Sequence, residues 1–355
     1  MRPVPAVTFT GRAMGTPYSI TVVGEAAGRE PEMLHRAAKE QLEKVNALMS
    51  TYKSDSELSR FNSAQHTDWV PISREMAEVM QLAMQVGHRS GGGYDVTVGP
   101  LVNLWGFGPD RRPTKAPDPA EIEKAKQRVG LERLEVRPDP PAVRKTRPDV
   151  YVDLSSVAKG YGVDLAAEAL ERAGVMNYCV EVGGEIRAKG HNARGVPWQI
   201  GVESPVAEER SIERVMPLSN MAVATSGDYR NYIEEDGVRF CHIIDPQTGY
   251  PIRHRLASVS VVDASCAKAD AWATALFVAG PERGYELAMR EWLAVLLIIK
   301  TDEGFVEKWT PGFAPYLGRG ETEGKGSPRI YTKEPRINAD KRRSERAWAS
   351  RPMPR

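Results

Sequence analysis

Between Val150 and Gly174 the chain turns from a short extended segment straight into a helix, and this constrains the fold more than any other stretch. Val150-Tyr-Val-Asp153 reads as a short strand. Ser155 or Ser156 supplies an N-cap oxygen, and Val157 to Ala173 reads as a helix closed by Gly174. A strand feeding a capped helix aims backbone N–H groups and the positive end of the macrodipole at one point, which suits a phosphate. Lys159 and Gly160 fall in the first turn, adding a cation and close backbone approach. The Gly-rich loop of a Walker motif is missing, and an ordinary capped helix with an exposed Lys fits the same residues.

The rest of the chain alternates long helices with hairpin-type strands. Tyr18 to Val23 is a predicted strand, Met33 to Met49 a helix, and Ser73 to Arg89 a second helix ended by Gly91-Gly92-Gly93. Ser50 to Asn62 is polar, with a short helix expected from Ser56. It is either a surface loop or a ligand-facing loop in which Tyr52 is a stacking platform. The triple Gly runs into Tyr94-Asp95 and then the Gly/aromatic run Leu101 to Gly108, and a flexible turn and a loop packed against a flat ligand both fit. Asp118-Pro119-Ala120-Glu121 is a capping box opening a short helix closed by Gly130. Pro138 to Pro148 is Pro-rich and charged, and the connection near 138–149 is the expected boundary between two lobes. Tyr178–Val182, Gly183-Gly184 and Glu185–Lys189 spell a hairpin. Further strands are expected at Trp198–Glu203, Met221–Thr225, Val238–Ile244, Ala257–Val262, Leu293–Ile299 and Phe305–Trp309. Helices are expected at Ala264–Ala279 and Glu282–Glu291. This mixture, without regular βα alternation or repeats, indicates the α+β class.

Net charge is +1, but residues 319–355 carry 11 Lys+Arg against 5 Asp+Glu. The basic character belongs to a tail read as disordered, and the body, residues 1–318, has no electrostatic footprint for nucleic acid. Three cysteines (Cys179, Cys241, Cys266) without metal or redox spacing read as buried thiols. No run is long and apolar enough to span a bilayer. The N-terminal residues hold no signal-peptide h-region, so the expectation is a cytoplasmic form or a chain lacking an upstream leader.

Chemistry is concentrated at two places. His242 ends a strand beside Asp245-Pro-Gln-Thr-Gly249, a turn that exposes the strand end, and a near-neutral pKa suits a general base there. Asp270 and Thr274 are spaced i, i+4 in a segment otherwise nearly all apolar. A buried Asp needs a partner, which local hydrogen bonds or a hard, oxygen-preferring cation such as Mg²⁺ would supply. Rossmann, P-loop, zincin and α/β-hydrolase signatures are absent.

Taken in order, Met14-Gly15-Thr16, Ser50–Asn62, Tyr94–Gly108, Asp153–Asp164, Val180–Arg187, Ala224–Asp228, His242–Gly249 and Ala269–Val278 resemble the motif set of the ApbE family of flavin transferases, from about residue 8 to residue 310. The resemblance implies two intertwined α+β lobes of mixed or antiparallel sheet (T-fold-like), with FAD in the cleft between them and Mg²⁺ at its diphosphate. By that resemblance Met14 and Tyr52 contact the flavin nucleotide, and Gly93, Tyr94 and Asp95 line the adenosine side. Asp153, Lys159 and Ile244 contact FAD. Ser156, Asp270 and Thr274 match the metal site, His242 matches a residue often given a catalytic role, and Asp270 is the second catalytic candidate. The implied reaction moves FMN from FAD onto a Thr or Ser hydroxyl of a partner flavoprotein, of quinone-oxidoreductase or electron-transfer type, releasing AMP. An FAD pyrophosphatase and a non-catalytic FAD-binding protein stay open, as does a homodimer. The chain departs from the family in lacking a lipobox Cys or signal peptide, in having Ala at 273, where some members carry a second carboxylate, and in its basic tail.

Overall fold

The computed structural model describes residues 4–109, 116–203, 212–227, 232–235, 238–318 and 329–331. Asp228 and Tyr229 lie outside them, as does the basic tail apart from 329–331. Among the described residues one antiparallel sheet takes its strands in chain order: β1 (Ala6–Ala13), β2 (Thr16–Val23), β3 (Asn177–Val182), β4 (Glu185–Lys189), β5 (Met221–Gly227), β6 (Leu256–Asp263), β7 (Ala294–Thr301), β8 (Gly304–Trp309) and β9 (Arg329–Tyr331). The expected hairpin is β3–β4, paired from Tyr178↔Lys189 to Val182↔Glu185.

Helices cover one face: α1 (Pro31–Met49), α2 (Arg74–Arg89), α3 (Ala158–Arg172), α4 (Cys266–Ala279) and α5 (Pro281–Arg290). A two-stranded ribbon, Trp198–Glu203 with Ile212–Leu218, covers the other. The side-chain alternation of strands divides the apolar residues between the two layers. On β7, Val295 and Leu297 join the helix-side core, while Leu296 and Ile298 join the core beneath the ribbon. Strand β6 is buried from Leu256 to Val262, as a strand covered on both faces must be. The α+β expectation therefore stands, with the sheet antiparallel throughout its described pairs.

Three local expectations need correction. Val150–Asp153 is extended but joins no sheet. Its ladder partner is a side chain: Asn62 receives the Val152 N–H on Oδ1 at 2.8 Å and donates Nδ2–H to the Val152 carbonyl at 2.8 Å. The Asp153 N–H goes to the Val96 carbonyl at 2.7 Å. Second, neither Ser155 nor Ser156 caps α3. Val157 occupies the cap without a side-chain bond, and the Gly160 N–H is bonded by the Asp270 carboxylate at 3.0 Å. A buried carboxylate is a stronger acceptor than a serine hydroxyl and also answers the helix dipole. Third, the proline-rich stretch near 138–149 carries the strand Pro141–Lys145, which pairs with Leu134–Pro138 and Val70–Pro71 in a small separate sheet. Burial of Val143 and Lys145 on one side holds it in place, and the Lys145 ammonium is taken up by the carbonyls of Asn62, Pro148 and Val150.

Helices α3 and α4 cap each other. Asp164 of α3 accepts from the N–H groups of Cys266 and Ala267, both at 3.0 Å, and from Ser265 Oγ at 2.8 Å. In return Asp270 of α4 caps Gly160. The helices approach so closely that a Cβ on Gly160 would lie 2.4 Å from the Cys266 carbonyl oxygen.

Gly160→Ala is therefore expected to lower unfolding stability by about 1–3 kcal/mol or more, read from denaturant melts, because a backbone and not a flexible side chain must give way. Asn62→Ala strands both polar groups of Val152 and is expected to cost about 2–4 kcal/mol in the same measurement.

Candidate active site

The reciprocal caps bring the first turn of α3 and the middle of α4 together at the ends of β4 and β5. Asp270 is 3% exposed, on a helix buried almost all round. Its Oδ2 is used by the Gly160 N–H, while Oδ1 has no hydrogen bond among the described residues. Thr274, one turn on, meets Ser226 of β5 through its hydroxyl at 3.3 Å. Ser156, one turn before Gly160, donates to the Tyr94 hydroxyl oxygen at 2.9 Å. Burial holds the Tyr94 phenol well above its ordinary pKa, and the charges of Asp270, Asp153 and Asp95 add to the rise. The structure thus draws Tyr94, Ser156 and the Asp270–Thr274 turn of α4 from three distant points of the chain.

Lys159 points into the same place and pairs with Glu185, the first residue of β4. Burial alone would depress its ammonium, but Asp270 and then Glu185 outweigh burial and keep it firmly charged. Burial pushes the Asp270 carboxyl above the usual carboxylate range; Lys159 opposes that rise and Glu185 adds to it. With both carboxylates ionised, they outweigh the one ammonium by one negative charge.

That excess fits a cation. Glu185 Oε2 is buried without a partner, and the residues expected at a metal, Asp270, Thr274 and Ser156, would offer it oxygen donors only. Among the described residues no three His, Cys, Asp or Glu converge. One carboxylate with hydroxyls suits Mg²⁺, which keeps several waters and shares phosphate oxygens, rather than a soft-metal centre.

The residues expected on the flavin side form a second group. Met14 adopts a positive φ of 51° in the β1–β2 turn, and its sulfur packs against α3 where Gly162 leaves room. Tyr52 is 68% exposed and donates to the Phe107 carbonyl at 3.1 Å. Phe107 in turn meets the His242 ring edge-on at 6.3 Å. His242 is half-buried, beside Cys241. Tyr52, Phe107 and His242 therefore make one aromatic rim, a platform for a flat ring. Gly93 follows Gly92, whose φ of 80° gives the turn, and Gln247 donates across to the Gly91 carbonyl at 3.0 Å. The Asp245–Gly249 turn is so tied to the triple-glycine loop, and a second tie runs from Trp105 Nε1 to the Gly249 carbonyl at 2.9 Å.

Three of the residues expected to contact a ligand also serve the fold. Asp95 accepts from Thr97 N–H and Oγ1, at 2.7 and 2.6 Å, and so starts a turn of 3₁₀ helix. Asp153 accepts from the Ser155 N–H at 2.8 Å. The Ile244 side chain is buried with Leu101, Trp105 and Ile122. Sequence reasoning missed Glu185, Asn62 and Gln247. Glu185 was legible only as a residue after a Gly-Gly turn, and the other two as ordinary polar loop positions.

Comparison with known proteins bears on this arrangement. The ApbE family profile matches residues 14–297. An FAD:protein FMN transferase from Vibrio cholerae is 46% identical over 320 residues, 90% of this chain and 95% of that protein. One from Haemophilus influenzae is 47% identical over 312 residues, 86% and 90% of the two. The solved structure of the flavin transferase ApbE from Vibrio cholerae superposes with a TM-score of 0.83 at 44% identity, covering 89% of this chain and all of that one. The apo flavinyl transferase ApbE of Pseudomonas stutzeri gives 0.81 at 38% identity, covering 89% and 98%. With the match running along nearly the whole described body, the chain belongs to the ApbE family.

Proposed function

We propose that this protein is an enzyme that moves the FMN moiety of FAD onto a Thr or Ser hydroxyl of a partner flavoprotein, with Mg²⁺ at the diphosphate. The observation that carries the reading is the centre in which half-buried Lys159 meets buried Glu185 and Asp270, together with the aromatic group of Tyr52, Phe107 and His242. FAD has the matching shape: a flat ring at one end and a diphosphate within reach of a metal and an ammonium.

In the proposed step the acceptor oxygen bonds to the FMN-side phosphorus as the bond from that phosphorus to the bridging oxygen breaks. AMP leaves with the bridging oxygen, and the hydroxyl proton passes to a base. Mg²⁺ held by Asp270, Thr274 and Ser156 would supply neutralisation of the diphosphate and of the leaving AMP. Lys159 adds a fixed positive charge whose partner, Glu185, keeps it in place. The α3 N-terminus aims further N–H donors the same way. Tyr52 and Met14 hold the rings, and His242, at the rim and half-buried, takes the proton. The partner's hydroxyl enters from the exposed side of the rim, where Tyr52 faces solvent.

Purified protein, FAD and Mg²⁺ are to be mixed with and without a Thr-containing flavoprotein domain. Intact mass follows the acceptor and chromatography follows AMP and FMN. The transferase reading expects an acceptor heavier by one FMN, with AMP. AMP with free FMN and no adduct would instead identify a pyrophosphatase, and bound FAD without AMP would reduce the protein to a flavin binder. Asp270→Ala is expected to slow AMP release by about a hundredfold or more. His242→Ala is expected to slow it by about 10²–10⁴-fold, with FAD binding preserved; unchanged turnover would remove His242 as the base.

A further inference from the structure

Lys159 stands under the influence of two buried carboxylates and bonds to only one of them. It pairs with Glu185 and makes no ion pair with Asp270 among the described residues, although the Asp270 charge acts on it strongly. Glu185 is 2% exposed, and its second oxygen is buried with no hydrogen-bond partner. A buried carboxylate with an unanswered oxygen costs stability, so local stability does not account for Glu185. Its position is nonetheless tightly specified. The Gly183-Gly184 turn has φ of 65° and 109°, and the Val182↔Glu185 pair closes the hairpin directly behind α3.

We propose that Glu185 is a positioning residue that keeps the Lys159 ammonium off Asp270, so that Asp270 Oδ1 stays open to the metal. The inference rests on the metal-assisted reading above and names the residue that makes it workable. Without Glu185, the nearest buried anion for Lys159 is Asp270. An ammonium on Oδ1 would compete directly with the ion. With Glu185 in place the same ammonium is held at the diphosphate side, charged, while Asp270 divides its oxygens between the Gly160 N–H and the cation. The second Glu185 oxygen adds to the negative field that draws the cation in.

The test reads metal binding directly. Mn²⁺ is titrated into the full chain, and free Mn²⁺ is counted by electron paramagnetic resonance, for wild type, Asp270→Ala, Glu185→Gln, Lys159→Met and the double variant Glu185→Gln/Lys159→Met. Glu185→Gln keeps the side-chain shape, and circular dichroism confirms that each variant is folded. Glu185→Gln is expected to weaken Mn²⁺ binding by about tenfold or more, the scale of one nearby charge in a partly buried site. Lys159→Met is expected to bind at least as tightly as wild type. The double variant is expected to return to within about threefold of wild type, because no ammonium is left to compete. A crystal structure of Glu185→Gln is expected to show Nζ hydrogen-bonded to Asp270. Wild-type Mn²⁺ affinity in Glu185→Gln, or a double variant as weak as Glu185→Gln, overturns the role of Glu185 while leaving the metal site standing. A wild type that binds Mn²⁺ no better than Asp270→Ala overturns the metal site and this proposal together.

Discussion

The structure depends on two helix N-termini that cap one another. Asp164 of α3 satisfies the first N–H groups of α4, and Asp270 of α4 satisfies Gly160 of α3. A helix start leaves N–H groups unpaired and carries a partial positive charge, so a carboxylate is a strong answer to both. Each helix here borrows that carboxylate from the other, which fixes their separation and rotation at once. Gly160 is the point of closest approach, since only a residue without a Cβ lets the Cys266 backbone come so near. Arg187 of β4 then bonds Asp164 at 2.9 Å and ties the pair to the sheet.

This arrangement explains how a carboxylate can be deeply buried and still chemically useful. A lone buried Asp would be protonated or expelled. Asp270 is retained because one oxygen has a structural duty, which holds the other at a fixed position one turn before Thr274 on α4. Lys159 and Glu185 complete a small electrostatic centre within an apolar layer, where charges act strongly because little water screens them. In the aromatic group of Tyr52, Phe107 and His242, Tyr52 faces solvent and the other two are half-buried.

How much of this was legible beforehand follows from the range of each interaction. The hairpin at Gly183-Gly184, the capping box at Asp118, the helix ending at Gly174 and the strand β7 all depend on neighbours in sequence, and each was readable. The extended segment Val150–Asp153 was misread as a strand because its partner is the Asn62 amide, 90 residues away. The N-cap of α3 was misassigned to Ser155 or Ser156 because the true acceptor, Asp270, lies 110 residues downstream. Local rules rank serine as the best cap in view, and they cannot weigh a carboxylate delivered by another helix.

By itself, then, the sequence determined the α+β class, the long helices, most strands of the large sheet and the residue types that bear chemistry, because periodicity, turn glycines and ordered motifs are local properties of the chain. Tertiary structure decided which of those residues meet. The pairing of Lys159 with Glu185, of Ser156 with Tyr94 and of Asp270 with Gly160 is set by sheet order and by the approach of α3 to α4. The division of labour between the two oxygens of Asp270 exists only once that approach is made. The physical reason is desolvation: the strength of a charge and the need for a partner arise when packing removes water, and no property of the unfolded chain carries that information.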